Sequence, residues 1–308
     1  VSESPVVARR LAKRYGHVVA VDGVDLTVDR GDVYGFLGPN GAGKTTTLRI
    51  LLGLIRPDAG NVLLFGRDPH DDAPRALEGV AGFVEEPRFY SYLTGRKNLE
   101  LLAAFDGDGA RSRIEDALEL VELPARAGDR VGGYSQGMRQ RLGIAASLLR
   151  DPRLLLLDEP TNGLDPGGMR DMRNLIRRLA HEGITILLSS HLLYEVEDLC
   201  NRVAIVRDGR IVYEGTIDEL HGGRATQYRL RTTDHDGARG VLEGHAGVES
   251  VVDNGAELTF SADEATVVAV SRALVETGIG IAALIPEAAS LEALFFELTE
   301  DQPTPAAA

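Results

Sequence analysis

The chain has 308 residues, 44% of them hydrophobic and 26% charged, as expected of a soluble globular protein long enough for one large or two ordinary domains. Its net charge of −14 is uneven: residues 217–308 carry 5 Lys and Arg against 16 Asp and Glu, which argues against direct nucleic-acid binding. The single cysteine, Cys200, excludes an internal disulfide and points to a reducing compartment. The N-terminus does not read as a signal peptide, and no apolar run approaches the ~20 residues that span a bilayer.

Val6–Ala8 and Val24–Val28 read as strands of a small antiparallel layer, with Tyr15 between them. That ring is either packing or a face on which a base could stack. Asp32–Leu37 is a short buried strand and Thr45–Leu54 a helix with Leu48, Leu51 and Leu52 on its apolar side. Between them, Gly38, Gly43, Lys44 and Thr45 fill the fixed positions of G-x-x-x-x-G-K-[ST]. Such a loop turns several backbone N–H groups toward one anion, and the helix start adds its positive dipole end. Lys44 would reach the outer phosphates and the Thr45 hydroxyl would hold Mg²⁺.

Asn61–Gly66 is a strand and turn, and Val80–Val84 a strand that ends at Glu85-Glu86-Pro87. Phe89, Tyr90, Tyr92 and Leu93 are bunched next, as core or as a docking surface. Residues 95–122 read as two helices broken at Gly107-Asp108-Gly109. A polar stretch, Gly132–Met138, then opens a helix over Arg139–Leu149, and Ser135 is either its N-cap or part of an anion site.

Leu154–Leu157 indicates a parallel strand buried on both faces, with Asp158 and Glu159 at its C-terminal end, where α/β folds place their chemistry. Adjacent residues there point in different directions, so one carboxylate can serve Mg²⁺ while the other faces water. Asn162–Pro166 is a turn and Met169–Ala180 a helix. Gly183–His191 is another buried strand with His191 just past its end, and Leu192–Leu199 is a helix. Val203–Val206 and Ile211–Tyr213 form a hairpin, and Thr216–Leu220 closes the first domain. After Gly222-Gly223, a strand–helix–strand–strand–helix–strand order predicts a small ferredoxin-like α+β domain, followed by a helix over 290–299. The expected domains are therefore 1–221, 222–302 and a disordered tail, 303–308.

Together these motifs resemble the nucleotide-binding domain of ATP-binding-cassette (ABC) proteins over residues 6 to about 220, and within it the bacterial drug-exporter ATPases of the daunorubicin- and bacitracin-resistance kind. The phosphate loop alone is not specific; the Ser135–Gly137 segment, the Asp158-Glu159 pair and His191 are. The resemblance implies an α/β P-loop fold with an antiparallel β subdomain and a helical subdomain. It implies that Gly38, Pro39, Asn40, Gly41, Ala42, Gly43, Lys44, Thr45 and Thr46 bind the phosphates of ATP, that Tyr15 stacks on adenine, and that Thr45 and Asp158 hold Mg²⁺. Glu159 would polarise the attacking water and His191 would touch the terminal phosphate. Ser135, Gln136 and Gly137 of a second copy would close over the nucleotide in a homodimer, with Asp165 in the loop at that interface.

Two departures stand out. The signature Leu-Ser-Gly-Gly-Gln reads Tyr134-Ser135-Gln136-Gly137-Met138, and the usual glutamine after the fourth strand is Glu85, whose carboxylate would hold Mg²⁺ or a water in its place. The expected function is the ATPase subunit of an exporter, cytoplasmic at the inner face of the membrane, working through a separate integral membrane permease. The alternative is a soluble ABC ATPase acting on ribosomes or DNA. That alternative usually brings two cassettes or long insertions, which this sequence lacks.

Overall fold

The computed structural model describes residues 4–106, 108–222 and 226–287. The chain divides into two compact units, one running to Thr216 and one starting at Ile217.

In the first unit, β1 (Val6–Tyr15) and β2 (Val18–Val28) form an antiparallel hairpin. The core strand β3 (Val33–Leu37) is buried at every position and leads into α1 (Lys44–Leu51). β4 (Ala59–Leu64) pairs with β1, completing a three-stranded sheet in the order β2-β1-β4. A short turn of helix, α2 (Ala73–Ala76), precedes β5 (Val80–Phe83). The helical part follows as α3 (Gly95–Ala103), α4 (Asp108–Ser112), α5 (Ile114–Leu120) and α6 (Gln136–Leu148). The break expected at 107–109 is displaced: Asp108 and Gly109 belong to α4, with the Ser112 hydroxyl donating to the Gly109 carbonyl.

The central sheet is completed by β6 (Leu154–Asp158), α7 (Pro166–His181), β7 (Thr185–Ser190), α8 (Leu193–Leu199), β8 (Arg202–Arg207) and β9 (Arg210–Thr216). Its order is β5-β6-β7-β3-β8-β9, parallel except for the β8–β9 hairpin. β6 and β7 are buried at every residue, as unbroken apolar runs in a parallel sheet require. β7 lies between β6 and β3, with Asp158 beside Ser189 and Leu37 beside Ser190. That register sets the C-terminal ends of three strands side by side.

The second unit begins earlier than the glycine pair suggests. α9 (Ile217–Gly222) follows β9 directly, and its Ile217 and Leu220 are buried. Then come β10 (Thr226–Thr232), α10 (His235–Gly244), β11 (Glu249–Asp253), β12 (Leu258–Ala262), α11 (Glu264–Glu276) and β13 (Ile281–Glu287). The element order is the expected β-α-β-β-α-β, and the sheet is antiparallel in the order β11-β12-β10-β13. Leu258, Phe260 and Ala262 alternate inward from β12 and pack with Leu230, Leu242, Val270 and Leu274. The expected helix over 290–299 and tail at 303–308 lie outside the described residues.

Candidate active site

The phosphate loop leaves β3 at Leu37 and enters α1 at Lys44. Gly43 sets the entry: its φ is 101°, and a Cβ there would collide with the Ala20 carbonyl of the β2 strand. The loop is therefore clamped from outside by the antiparallel layer, and Gly209 N–H donates to the Ala42 carbonyl from the β8–β9 turn. Pro39, Asn40 and Gly41 are exposed, Ala42 is buried, and Thr45 and Thr46 occupy the first turn of α1.

Lys44 is 5% exposed. Its Nζ donates to the carbonyls of Gly38 (2.8 Å) and Pro39 (3.2 Å) and lies 3.1 Å from Glu159 Oε1. The other carboxylate oxygen, Glu159 Oε2, lies 2.7 Å from His191 Nδ1. A carboxylate only accepts, so His191 carries the proton on Nδ1. Lys44, Glu159 and His191 thus form one chain of contacts across the ends of β3, β6 and β7. Glu159 sits at φ 47°, a left-handed conformation that costs a non-glycine residue of order 1–3 kcal/mol. Its backbone N–H donates to Ser189 Oγ at 3.0 Å.

Asp158 is buried, and its Oδ1 accepts from the Ser189 hydroxyl at 2.6 Å while Oδ2 accepts from the Glu85 N–H at 3.3 Å. Two donors orient the carboxylate and leave lone pairs free, at the end of β6, which β7 separates from the β3 strand that leads to Lys44 and Thr45. An oxygen-only donor set of this kind, a carboxylate plus a hydroxyl, suits Mg²⁺ bound together with phosphates.

Glu85, expected to hold Mg²⁺ or a water, has its carboxylate on another partner in this structure. Its carboxylate pairs with Arg49 of α1, Oε1 to Nη2 at 2.5 Å, and is 60% exposed. What reaches Asp158 is the Glu85 backbone, held at φ 66°. The reason is charge: a carboxylate turned toward Asp158 would face another anion, whereas Arg49 offers it a cation. Tyr15, at the end of β1, is half exposed and has the Lys13 ammonium 5.8 Å from its ring centroid.

Ser135, Gln136, Gly137 and Asp165 are gathered at a second place. Ser135 caps α6, its Oγ accepting from Met138 N–H at 3.2 Å, and Asp165 caps α7, its Oδ1 accepting from Gly168 N–H at 3.1 Å. Gln136 Nε2 donates to the Asn162 carbonyl at 2.9 Å. Gly163, at φ 73°, leaves room for that side chain, which a Cβ would strike. Together with Arg126 these residues line a cavity of about 550 Å³ to which the phosphate loop contributes no residue. Ser135 is thus both the N-cap and part of a polar cleft. Sequence reasoning missed Ser189, Thr161, Glu195 and Arg49; the one available signal was a polar pair, Ser189-Ser190, ending an otherwise apolar strand.

Comparisons with known proteins agree with this layout. Residues 21–162 match the family model described as ABC transporter. Over 236 residues the chain is 44% identical to the bacitracin transport ATP-binding protein BcrA of Bacillus licheniformis, covering 76% of this chain and 77% of that one. Over 298 residues it is 39% identical to the daunorubicin resistance ATP-binding protein DrrA3 of Streptomyces coeruleorubidus, covering 94% of each. Among solved structures it resembles the dimeric post-hydrolysis ATP-binding cassette MJ0796 bound to ADP and Pi, with a TM-score of 0.62, 25% identity, and coverage of 69% of this chain and 98% of that one.

Proposed function

The chain belongs to the ABC transporter family and is an ATPase, and on that premise we propose that it hydrolyses ATP at the ends of β3, β6 and β7 to power export of a small molecule through a separate membrane permease. The observation that carries this reading is the contact chain Lys44–Glu159–His191 beside the oriented Asp158. Lys44 now neutralises Glu159; a phosphate would take that place and free the carboxylate. Glu159 would then accept the proton of the attacking water, and His191, which already holds Glu159 through Nδ1, would keep it aimed and contact the terminal phosphate. Mg²⁺, held by the Thr45 hydroxyl and Asp158, supplies charge neutralisation on the phosphate oxygens when bound. The remaining catalysis is positioning by backbone N–H groups and Lys44.

The polar cleft at Ser135–Gly137 and Asp165 lies apart from the phosphate loop, which supports a homodimer in which each copy closes the other's nucleotide site. The dimeric cassette among the similar structures supports the same assembly. Tyr15 would stack on adenine. No helix among the described residues is long and apolar enough to cross a membrane. Exposed Tyr90, Tyr92 and Phe105 stand near a cavity of about 250 Å³ lined by Phe83, Pro87, Phe89 and Leu102, which supports permease docking there, on the cytoplasmic side of the membrane. The names of the two relatives support an antibiotic as cargo.

Glu159→Gln tests the reading. It should cut ATP turnover by ~10²–10⁴-fold, as removal of a general base does, while ATP stays bound and the dimer accumulates. The same variant, sedimented with membranes in the presence of ATP, should bring down one polytopic protein. Unchanged turnover would remove Glu159 from its role, and a chain that stays soluble would remove the permease.

A further inference from the structure

Glu195 of α8 is 2% exposed and has no part in the chemistry assigned so far. Its Oε2 accepts two hydrogen bonds, from the Thr161 hydroxyl at 2.7 Å and from the Ser190 hydroxyl at 2.9 Å. Both donors are buried, at 3% and 1% exposed. Ser190 Oγ also accepts the Leu192 N–H at 3.0 Å, and of the two acceptors within reach of its proton, Glu195 Oε2 at 2.9 Å is nearer than the Leu192 carbonyl at 3.4 Å. The second carboxylate oxygen, Oε1, has no hydrogen-bond partner among the described residues.

The positions of the two donors in the chain give this arrangement its meaning. Thr161 stands two residues after Glu159, and Ser190 stands one residue before His191. The segment after β6 and the last residue of β7 therefore meet on one oxygen atom. On the far side of those segments, Glu159 and His191 make their own 2.7 Å contact. Thr161 also starts the turn toward the second cleft: its carbonyl accepts the Leu164 N–H at 3.2 Å, and Gln136 holds the neighbouring Asn162.

Packing alone gives no reason for a carboxylate here. Leu193, Val196 and Leu199 of the same helix already bury its apolar face. A buried charge with an unpartnered oxygen is less favourable than an apolar side chain of similar volume. What an apolar side chain cannot do is accept two hydroxyls at one point.

We propose that Glu195 is a positioning residue for ATP hydrolysis, its carboxylate clamping the Thr161 turn to Ser190 and thereby fixing Glu159 against His191. The proposal rests on the reading of Glu159 and His191 as the hydrolytic pair. Glu195 touches neither of them; it acts through the two segments that carry them. Ser190 also accepts the Gly38 N–H of the phosphate loop at 3.2 Å through its carbonyl, a backbone bond that loss of the side-chain clamp leaves in place, so the loosening falls first on the alignment of the base.

The test compares Glu195→Ala, Glu195→Gln and Thr161→Val in the full chain, by steady-state ATP turnover, ADP affinity and thermal melting. Glu195→Ala and Thr161→Val should lower kcat at least ~10-fold, because small misplacements of a catalytic group are costly, with KM and ADP affinity held within about two-fold. Glu195→Gln keeps an oxygen acceptor for both hydroxyls and should restore kcat to within about three-fold of the unaltered chain. A structural role would not produce that split between kcat and binding, nor that rescue. The proposal is overturned by a Glu195→Ala chain as active as the parent, by ADP affinity that falls in step with kcat, or by a Glu195→Gln chain as slow as Glu195→Ala. If Glu195→Ala does not fold, Thr161→Val, which changes one buried hydroxyl for a methyl, decides by the same readouts. An unaltered chain that turns over no ATP overturns the hydrolytic reading itself, and the clamp with it; an active parent with an equally active variant overturns the clamp alone.

Discussion

Among the described residues, the first unit buries Asp32, Lys44, Asp158 and Glu195, whereas the second unit buries no charged side chain and one polar one, Thr259. The first unit is built on a mainly parallel sheet and the second on an antiparallel one, and neither arrangement by itself calls for buried charge. In the second unit the charges stay at helix starts and strand edges: Asp234 and Asp263 cap α10 and α11, and Asp253 pairs with His235. In the first unit Lys44 and Asp158 lie at the C-terminal strand ends, where Lys44, Glu159 and His191 touch, whereas Asp32 stands before β3 and pairs with Arg202. Buried ion pairs bring little net stability, since desolvation offsets most of the attraction. The comparison teaches where selection for chemistry rather than for folding has acted.

Lys44→Ala should show this most sharply. Removing a charged donor of the phosphate is worth about 1.5–3 kcal/mol, or roughly a 10- to 150-fold loss of ATP affinity. Because the lysine serves binding more than folding, the melting temperature should move little. Titration with a fluorescent ATP analogue, alongside thermal melting, separates the two. A large loss of stability with unchanged affinity would reverse the assignment and erase the contrast between the units.

Phe260→Ala asks the opposite question of the second unit. Phe260 is fully buried and stacks on Tyr228 with ring centroids 5.7 Å apart. Truncation of a core phenylalanine costs about 3–5 kcal/mol. Denaturant unfolding followed by a probe in residues 226–287 should register that loss, while ATP affinity of the first unit stays at the parent value. If affinity falls in parallel, the two units are not energetically separate and the contrast drawn from burial breaks down.

The contrast also tells which parts of the molecule could be read before the structure. Lys44, Asp158, Glu159 and His191 were legible because residue type and position relative to an apolar run carry the chemistry. The element order of the second unit was legible in the sequence, and the structure keeps it as β10-α10-β11-β12-α11-β13. What could not be read depends on partners distant in the chain. Arg49 claims the Glu85 carboxylate across 36 residues, a choice set by charge and by the positive φ of Glu85. Ser189 and Ser190 read as the polar end of a strand, but their hydroxyls turn out to orient Asp158 and to meet Glu195. In the sequence the boundary between the units reads as Gly222-Gly223, a glycine pair that looks like a linker, whereas the compact units divide between Thr216 and Ile217.

The smallest effect concerns a surface charge that does serve folding. Asp263 caps α11, accepting the Thr266 N–H at 2.7 Å, and its carboxyl is held below the ordinary carboxylate range by hydrogen bonds from the Thr266 side chain and then its backbone. The folded state therefore favours the ionised form more than the unfolded chain does. The stability this gives is present above the unfolded value of about 4 and is lost as pH falls through the lower folded value. Asparagine caps nearly as well as aspartate but carries no charge to offer the helix N-terminus. Asp263→Asn should thus be slightly less stable than the parent at neutral pH and indistinguishable from it in acid. Urea unfolding of both chains between neutrality and the acid limb checks this. A difference that persists or widens in acid would mean that the carboxylate charge is not what stabilises the cap, and that surface charge in the second unit is as neutral toward folding as Lys44 is in the first.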